Sequence, residues 1–399
     1  MAATRSSLET GLDRIWYARR YIEQLYEENK FLAKVKKTKK FMEGEKVRVP
    51  LHVSRNGGFT SLPEGGGTLN EAGNQGYNKA EYHLTHHHQQ VAIQGDVIDT
   101  TGNALAIVSA VDEEIERALN DMNRQLTRMS YGNGDALIAQ CRTSDSNNVD
   151  LNKTTGVIPL ERGWIFPGQL VSIGTKADSD SITASTRVTA VDYTNIAFTV
   201  SAGNQTTEGT THYISQAGGR NDETSYEMNG LRNIVSESST LGGLASSTEA
   251  LWASTVDTST ELTIAKLLTA QRKIRQKRGS SPNFLLTGLK QQQKFYELLQ
   301  QQVHFSSDKG LEAGNDETVK WNGMEIFADA DCPDEDLYMG NFDHFFIVAI
   351  DAPYWQNKVT GGEKLAWIQN TDSYGGKLTY RANICVDRRN DLYRFSSLT

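Results

Sequence analysis

Residues 46–98 read KVRVPLHVSRNGGFTSLPEGGGTLNEAGNQGYNKAEYHLTHHHQQVAIQGDVI, about fifty residues with no helical spacing of apolar side chains. Two strand-like stretches, 46–53 and 82–98, flank a tip at 54–78 that is rich in Gly, Asn and Ser. The tip holds Gly57, Gly58, Gly65, Gly66, Gly67, Gly73 and Gly76. A compact domain seldom carries so long a segment without helix unless it is functional or disordered, and strand-like flanks favour the first. A two-stranded ribbon alone is marginal in water. The flanks therefore predict a long two-stranded arm lying on another protein surface, and a chain built to be assembled.

Composition points the same way. With 399 residues the chain exceeds the size at which one core keeps growing, so roughly two or three domains are expected. A hydrophobic fraction of 38% is low for that length and predicts that much of the chain is exposed as a monomer or covered by neighbours through polar as well as apolar contacts. The net charge of -8 and pI near 5.6 argue against a protein whose main face grips nucleic acid, because phosphate binding needs an excess of Lys and Arg. Cys141, Cys332 and Cys385 have neither CxxC spacing nor an even count, so no disulfide framework or zinc site is expected, and a reducing compartment fits. No stretch of about 18 apolar residues occurs, and residues 1–9 lack the apolar core of a secretory signal. The expectation is a soluble chain made in a cytoplasm.

Upstream of the arm, Leu8, Leu12, Ile15, Ile22, Tyr26 and Leu32 line one face of a helix over 8–35, and Ser6 with Glu9 supplies a capping box. Its end is basic, with Lys30, Lys34, Lys36, Lys37, Lys39 and Lys40. Such a run reads first as a solvated face, and otherwise as a contact with an acidic neighbour or with nucleic acid. Downstream lies the clearest helix, 103–129. Leu105, Val108, Val111, Ile115, Leu119, Met122, Leu126 and Met129 recur at three or four, and acidic residues precede Arg117, Arg124 and Arg128 in the order that suits the helix dipole. Such a helix is roughly 40 Å long. Gly132 and Gly134 end it, which sets aside a coiled coil.

From 143 to 224 the texture turns to Thr, Ser, Gly and Asn. Strands are expected at 169–174, 181–192, 195–201 and 211–215, as a small all-β module inserted in a larger domain. A helix at 261–278, a strand at 284–286 and a helix at 290–302 follow. Later strands fall at 324–327, 345–350, 378–387 and 392–395. The body is α+β, without internal repeats.

Little in the sequence carries chemistry. His83, His86, His87 and His88 are the obvious metal candidates, and His86 and His88 would share a strand face, but no Cys or carboxylate set accompanies them; a polar strand in an intersubunit contact is the preferred reading. Residues 64–68, EGGGT, lack the Lys and Ser/Thr of a phosphate-binding loop, and 131–135 follow a helix where a dinucleotide fingerprint follows a strand. Asp329, Asp331, Asp334, Glu335 and Asp336 lack the spacing of a calcium loop and read as a solvated acidic turn. No catalytic, cofactor or metal residue is assigned, and the chain is not expected to be an enzyme.

The order of these parts resembles the major capsid proteins of tailed double-stranded DNA bacteriophages, with the HK97-like fold. Residues 132–135 and 229–235 (NGLRNIV) look like two halves of one family segment split by the β-rich module. Residues 280–299 are similar to an axial-domain segment, and 321–326 (WNGMEI) with 339–343 (MGNFD) are similar to its paired strands, with Met324 and Asn341 as departures. The resemblance implies an N-terminal arm at 1–45, an extended loop at 46–98 and a peripheral domain at 99–142 and 346–399. It further implies an inserted β-rich domain at 143–224 and an axial domain at 225–345.

By the same resemblance the chain self-assembles into hexamers and pentamers of an icosahedral head in the virion, made in a host bacterial cytoplasm. The packaged double-stranded DNA is held non-specifically. A separate scaffolding protein, a portal and a decoration protein are implied partners, with no membrane. An encapsulin-like compartment and a receptor-binding adhesin are the alternatives. Assembly-contact candidates are Ile15, Ile22, Lys36, Lys37, Phe59, Tyr77, Lys79 and Asn370. Lys79 and Asn370 are where the family's covalent Lys–Asn cross-link would fall, but Lys377 occupies the position of its catalytic Glu.

Overall fold

The computed structural model describes residues 30–39, 41–43, 46–95, 104–145, 147–152, 157–178, 183–201, 207–208, 211–222, 224–277, 280–300, 319–350, 352–355 and 365–399. Most of the expected N-terminal helix, with Ile15 and Ile22, lies outside them.

The chain enters through α1 (Lys30–Lys34), β1 (Lys36–Thr38) and β2 (Met42–Glu43). The stretch that opens the sequence argument becomes β3 (Lys46–Ser54), β4 (Gly76–His83) and β5 (Thr85–Gln94). A long helix, α2 (Ala104–Tyr131), follows. Next come β6 (Leu137–Asp145), β7 (Asn148–Leu151), α3 (Val157–Glu161), β8 (Leu170–Gly174), β9 (Thr183–Asp192), β10 (Ala197–Val200), β11 (Thr207–Glu208) and β12 (Tyr213–Gln216). A short hairpin of β13 (Arg220–Asn221) and β14 (Thr224–Ser225) leads to α4 (Leu231–Ile234) and β15 (Thr255–Thr258). The remainder comprises α5 (Ile264–Gln276), β16 (Phe284–Thr287), α6 (Leu289–Gln300), β17 (Val319–Trp321), β18 (Met324–Ala328), β19 (Leu337–Gly340), β20 (Phe345–Ala349), β21 (Tyr354–Trp355), β22 (Ala366–Trp367), β23 (Ser373–Val386) and β24 (Tyr393–Ser396).

Two six-stranded sheets carry the body. One is centred on β23, which pairs with β20, β21, β22 and β5, while β1 lies parallel to β20. The other runs β15-β24-β19-β16-β18-β17. A single apolar cluster spans both sheets, α2 and the base of the β3–β4 ribbon, including Phe31, Val47, Tyr82, Leu126, Leu231, Phe284, Phe345 and Ile384. Such a contiguous core fixes these parts relative to one another. The last turns of α2 are buried all round, and α4 begins directly against them: a Cβ on Gly230 would overlap the carbonyl oxygens of Met129 and Gly132, so only glycine permits this approach.

Strands β6, β12, β8, β9, β10 and β7 pair in sequence and β7 returns to β6, which closes a barrel with β11 attached to β6. Its interior is a separate apolar cluster that includes Cys141, Leu151, Ile173, Phe198 and Ile214. Closure leaves this barrel without free edges among its ring strands.

Three expectations need correction. The stretch 82–98 is not one strand, because the chain changes partner at Leu84: β4 pairs with β3, whereas β5 pairs with β23 over ten residues. Asn383 Nδ2 donates to His83 O at 2.7 Å, and Thr85 Oγ1 donates to Ala382 O at 2.6 Å, which pins the handover on β23. The β-rich module starts at Leu137, not at 143, since β6 supplies strand to both β12 and β7. The strand expected at 392–395, within the stretch assigned to the peripheral domain, becomes β24, between β15 and β19 in the other sheet. The described lysines of the basic run, Lys34, Lys36, Lys37 and Lys39, are exposed as expected, while the backbone there forms edge strand β1.

Candidate interaction surface

The β3–β4 ribbon has two unlike faces. Val47 opposite Tyr82 and Val49 opposite Ala80 are buried, while Lys46, Arg48, Lys79 and Glu81 lie on the other face, as the period of two requires. Its base is bound firmly to the body. Glu81 N donates to Gly242 O at 2.8 Å, Tyr82 Oη to Val386 O at 3.0 Å, and Asn78 Nδ2 to Glu249 Oε1 at 3.1 Å. Gly242 has φ of +62°, and a Cβ there would press on Ala80, so the ribbon passes over a glycine.

Beyond the base the ribbon leaves the core. No residue from Pro50 to Lys79 is buried, and Phe59, Leu69 and Tyr77 are 84%, 70% and 76% exposed. The tip is held to itself. Asn56 Oδ1 accepts from Gly58 N at 2.8 Å and Gly73 N at 3.0 Å, and Asn70 bonds back to Thr60 Oγ1 and to Phe59 O. These apolar side chains are left free to meet another protein surface.

Three cations surround Glu81: Lys79 at 2.8 Å, Arg48 at 3.1 Å and Lys46 at 3.6 Å. The hydrogen bond from Lys79, with the charges of all three, lowers this carboxyl to about 2. The sequence candidates are thus scattered. Lys79 is engaged by Glu81, Lys36 pairs with Asp343 at 2.6 Å, Lys37 is exposed on β1, and Asn370 sits at φ of +64° in the exposed turn before β23. Phe59 and Tyr77 stand on the ribbon, and no contact joins Lys79 to Asn370 among the described residues.

The histidine run is an intrachain strand in its backbone. His86 and His88 face outward with rings 6.4 Å apart, whereas His87 points toward α2, where burial and the neighbouring Arg128 lower it to about 4. Among the described residues no group of His, Cys, Asp and Glu is arranged to hold a metal.

The acidic segment overturns its sequence reading most clearly. Asp329, Asp331 and Asp336 are buried, not solvated. Arg124 of α2 donates to Asp331 Oδ2 at 2.6 Å and also to the carbonyl of Arg162 beside the barrel; Tyr131 Oη donates to Asp329 Oδ2 at 2.7 Å. Asp336 accepts from Arg232 Nε at 3.1 Å, Arg394 Nε at 3.0 Å and Tyr338 Oη at 3.0 Å. Burial raises the Asp331 carboxyl above its usual range, against the pull of Arg124. This polar junction ties α2, α4, the β18–β19 loop and β24 together. It is a positioning device that nothing in the local sequence pattern announced.

No protein-family model and no curated protein matches the sequence. Solved structures do. The capsid asymmetric unit of cyanophage A-1(L) is 13% identical, aligns over 96% of each chain and gives a TM-score of 0.55. The capsid subunit of an empty GTA particle is 8% identical over 96% of this chain and 94% of that one, with a TM-score of 0.52. An encapsulin complex from Synechococcus elongatus aligns over 100% and 96% at 8% identity, with a TM-score of 0.46, too low to argue from. At these identities the likeness is one of fold: the chain has the HK97-like fold of capsid subunits.

Proposed function

We propose, from that fold, that the chain is the major capsid protein of a tailed double-stranded DNA bacteriophage, joining copies of itself as hexamers and pentamers of an icosahedral head. The observation that carries this reading is a ribbon with its base built into the core and its outer part bare, with three large apolar side chains turned to solvent. In the assembly the ribbon lies across a neighbouring subunit. Residues 46–83 serve as the extended loop, α2 with the β23-centred sheet as the peripheral domain, the β15–β19 and β24 sheet as the axial domain, and the barrel as the insertion. The N-terminal arm, with Ile15 and Ile22, docks on a further subunit, as do Lys36 and Lys37. A separate scaffolding protein and a portal take part, and the DNA is cargo held non-specifically.

Electron microscopy of the purified full chain tests this. Closed shells are expected. Open aggregates or monomers under all assembly conditions would overturn it and favour an adhesin, while nuclease-protected DNA in particles from producing cells separates a virus head from a storage compartment.

The shell is expected to hold without covalent cross-links. Attack of a Lys amine on an Asn carboxamide needs the amine deprotonated by a nearby base. Lys377 at the relevant position is no such base, and Glu81 beside Lys79, held down to about 2, is a poor one; Asp372, two residues after Asn370, is the substitute candidate. Mature particles boiled in detergent therefore run as single chains near 44.2 kDa. A ladder of covalent oligomers on a reducing gel, removed by Lys79→Ala, is the contrary result.

A further inference from the structure

After residue 340 the chain crosses between the two sheets twice, side by side: from β19 to β20 through 341–344, and back from β23 to β24 through 387–392. His344 stands on the outgoing crossing and touches both ends of the returning one. Its Nδ1 lies 2.8 Å from Asp387 Oδ1 and its Nε2 lies 3.1 Å from Asp391 Oδ2. Asp387 N also donates to His344 O at 3.2 Å.

A neutral imidazole has one N–H and one lone pair, so it satisfies one of two flanking carboxylates and turns a lone pair on the other. With both carboxylates ionised, this geometry fits the imidazolium. Asp391 has no exposed surface, and its carboxylate accepts a second bond from Ser280 Oγ at 2.6 Å. A buried carboxylate is costly to leave ionised without a charge partner and hydrogen bonds. Among the described residues, His344 is the cation paired with Asp391 and with Asp387. The other charged groups at hand are Asp343, adjacent in the chain, Lys36 of β1, which bonds Asp343 at 2.6 Å, and on the returning crossing Arg388 and Arg389, the latter buried with its guanidinium given to the carbonyls of Asn233, Ile234, Ser236 and Ser239.

We propose that protonated His344 is a charge-dependent fastener of the two crossings, a proton-controlled device that holds the two sheets in register at their junction. It works within one subunit and stands apart from the assembly reading.

The hydrogen bonds to Asp387 and then Asp391 raise the imidazole from 6.5 to about 9. Burial tends to raise the Asp391 carboxyl, yet the bonds from His344 and Ser280 hold it below its usual range. The sign follows from the histidine. Its folded value lies above its unfolded one, so its stabilisation is complete below about 6.5 and is lost as pH rises through about 9. Within that window the folding constant loses up to about tenfold per pH unit from this group.

Two measurements on the full chain test the fastener. Histidine NMR of the wild type, with the His344 ring assigned through its own backbone resonances, should show that imidazole titrating well above the ordinary range. Hydrogen exchange, corrected for intrinsic rates, should rise selectively at 341–348 and 386–393 between pH 7 and pH 9.5 in the wild type. In His344→Gln those amides should already exchange fast at pH 7 and change little further. A His344 signal titrating at or below 6.5 would overturn the proposal, and so would equal pH dependence of exchange in both proteins. The NMR arm decides the matter if the variant does not fold.

Discussion

Removal of residues 54–78 leaves a soluble, folded subunit that forms no shells. Pro50 faces Lys79 in the ribbon, so the shortened hairpin closes through Leu51, His52 and Val53, a loop length common in hairpins. Nothing in the deleted stretch belongs to the shared core, and Val47, Val49, Ala80 and Tyr82 keep their seats. The monomer therefore loses little. The assembly loses the three exposed anchors Phe59, Leu69 and Tyr77, and burying them on a neighbour contributes roughly 5 kcal/mol per subunit, more than a thousandfold in association. Circular dichroism and thermal melting of the deleted chain, beside electron microscopy, check both halves of the expectation. Normal shells would remove the ribbon from the assembly contact; an unfolded monomer would show it to be part of the subunit's own stability.

Asp336→Ala is expected to destabilise the isolated subunit by about 3 kcal/mol, at the low end for breaking a buried ion pair. Asp336 has no exposed surface and holds Arg232, Arg394 and Tyr338 from three segments of the chain. Truncation strands Arg394, which is 14% exposed at its side chain, next to apolar neighbours; Arg232, at 38%, regains water and moderates the loss. Asp336→Asn keeps acceptor geometry on one oxygen and should cost about half as much. Urea titration of the monomer reads both. A change within about 0.5 kcal/mol for the alanine variant would mean that the junction is decoration on a core already fixed by packing.

Some of this architecture was legible in the sequence because local periodicity is a local force. Leu105 through Met129, spaced by three and four, can bury one stripe only as a helix, and α2 runs Ala104–Tyr131. Val47 and Val49 alternating with Lys46 and Arg48 mark a ribbon with one wet face, and the glycine-rich tip marks its free end. The order of arm, loop, long helix and later strands was enough to suggest the fold that the solved capsid structures share.

Partner choice and burial were decided only in three dimensions. The residues on either side of Leu84 are strand-like throughout, yet the backbone leaves β3 for β23 there, because a period of two states which face is buried and not which strand lies alongside. Tyr393–Ser396 reads as a closing strand in any sheet, and its place between β15 and β19 is set by shape complementarity with elements remote in sequence. The acidic segment at 329–336 looks solvated in any local window, since an unpaired buried carboxylate is prohibitively costly. It is buried because Arg124 arrives from 207 residues away, Arg232 from 104 and Arg394 from 58, and such compensation exists only once the chain has folded.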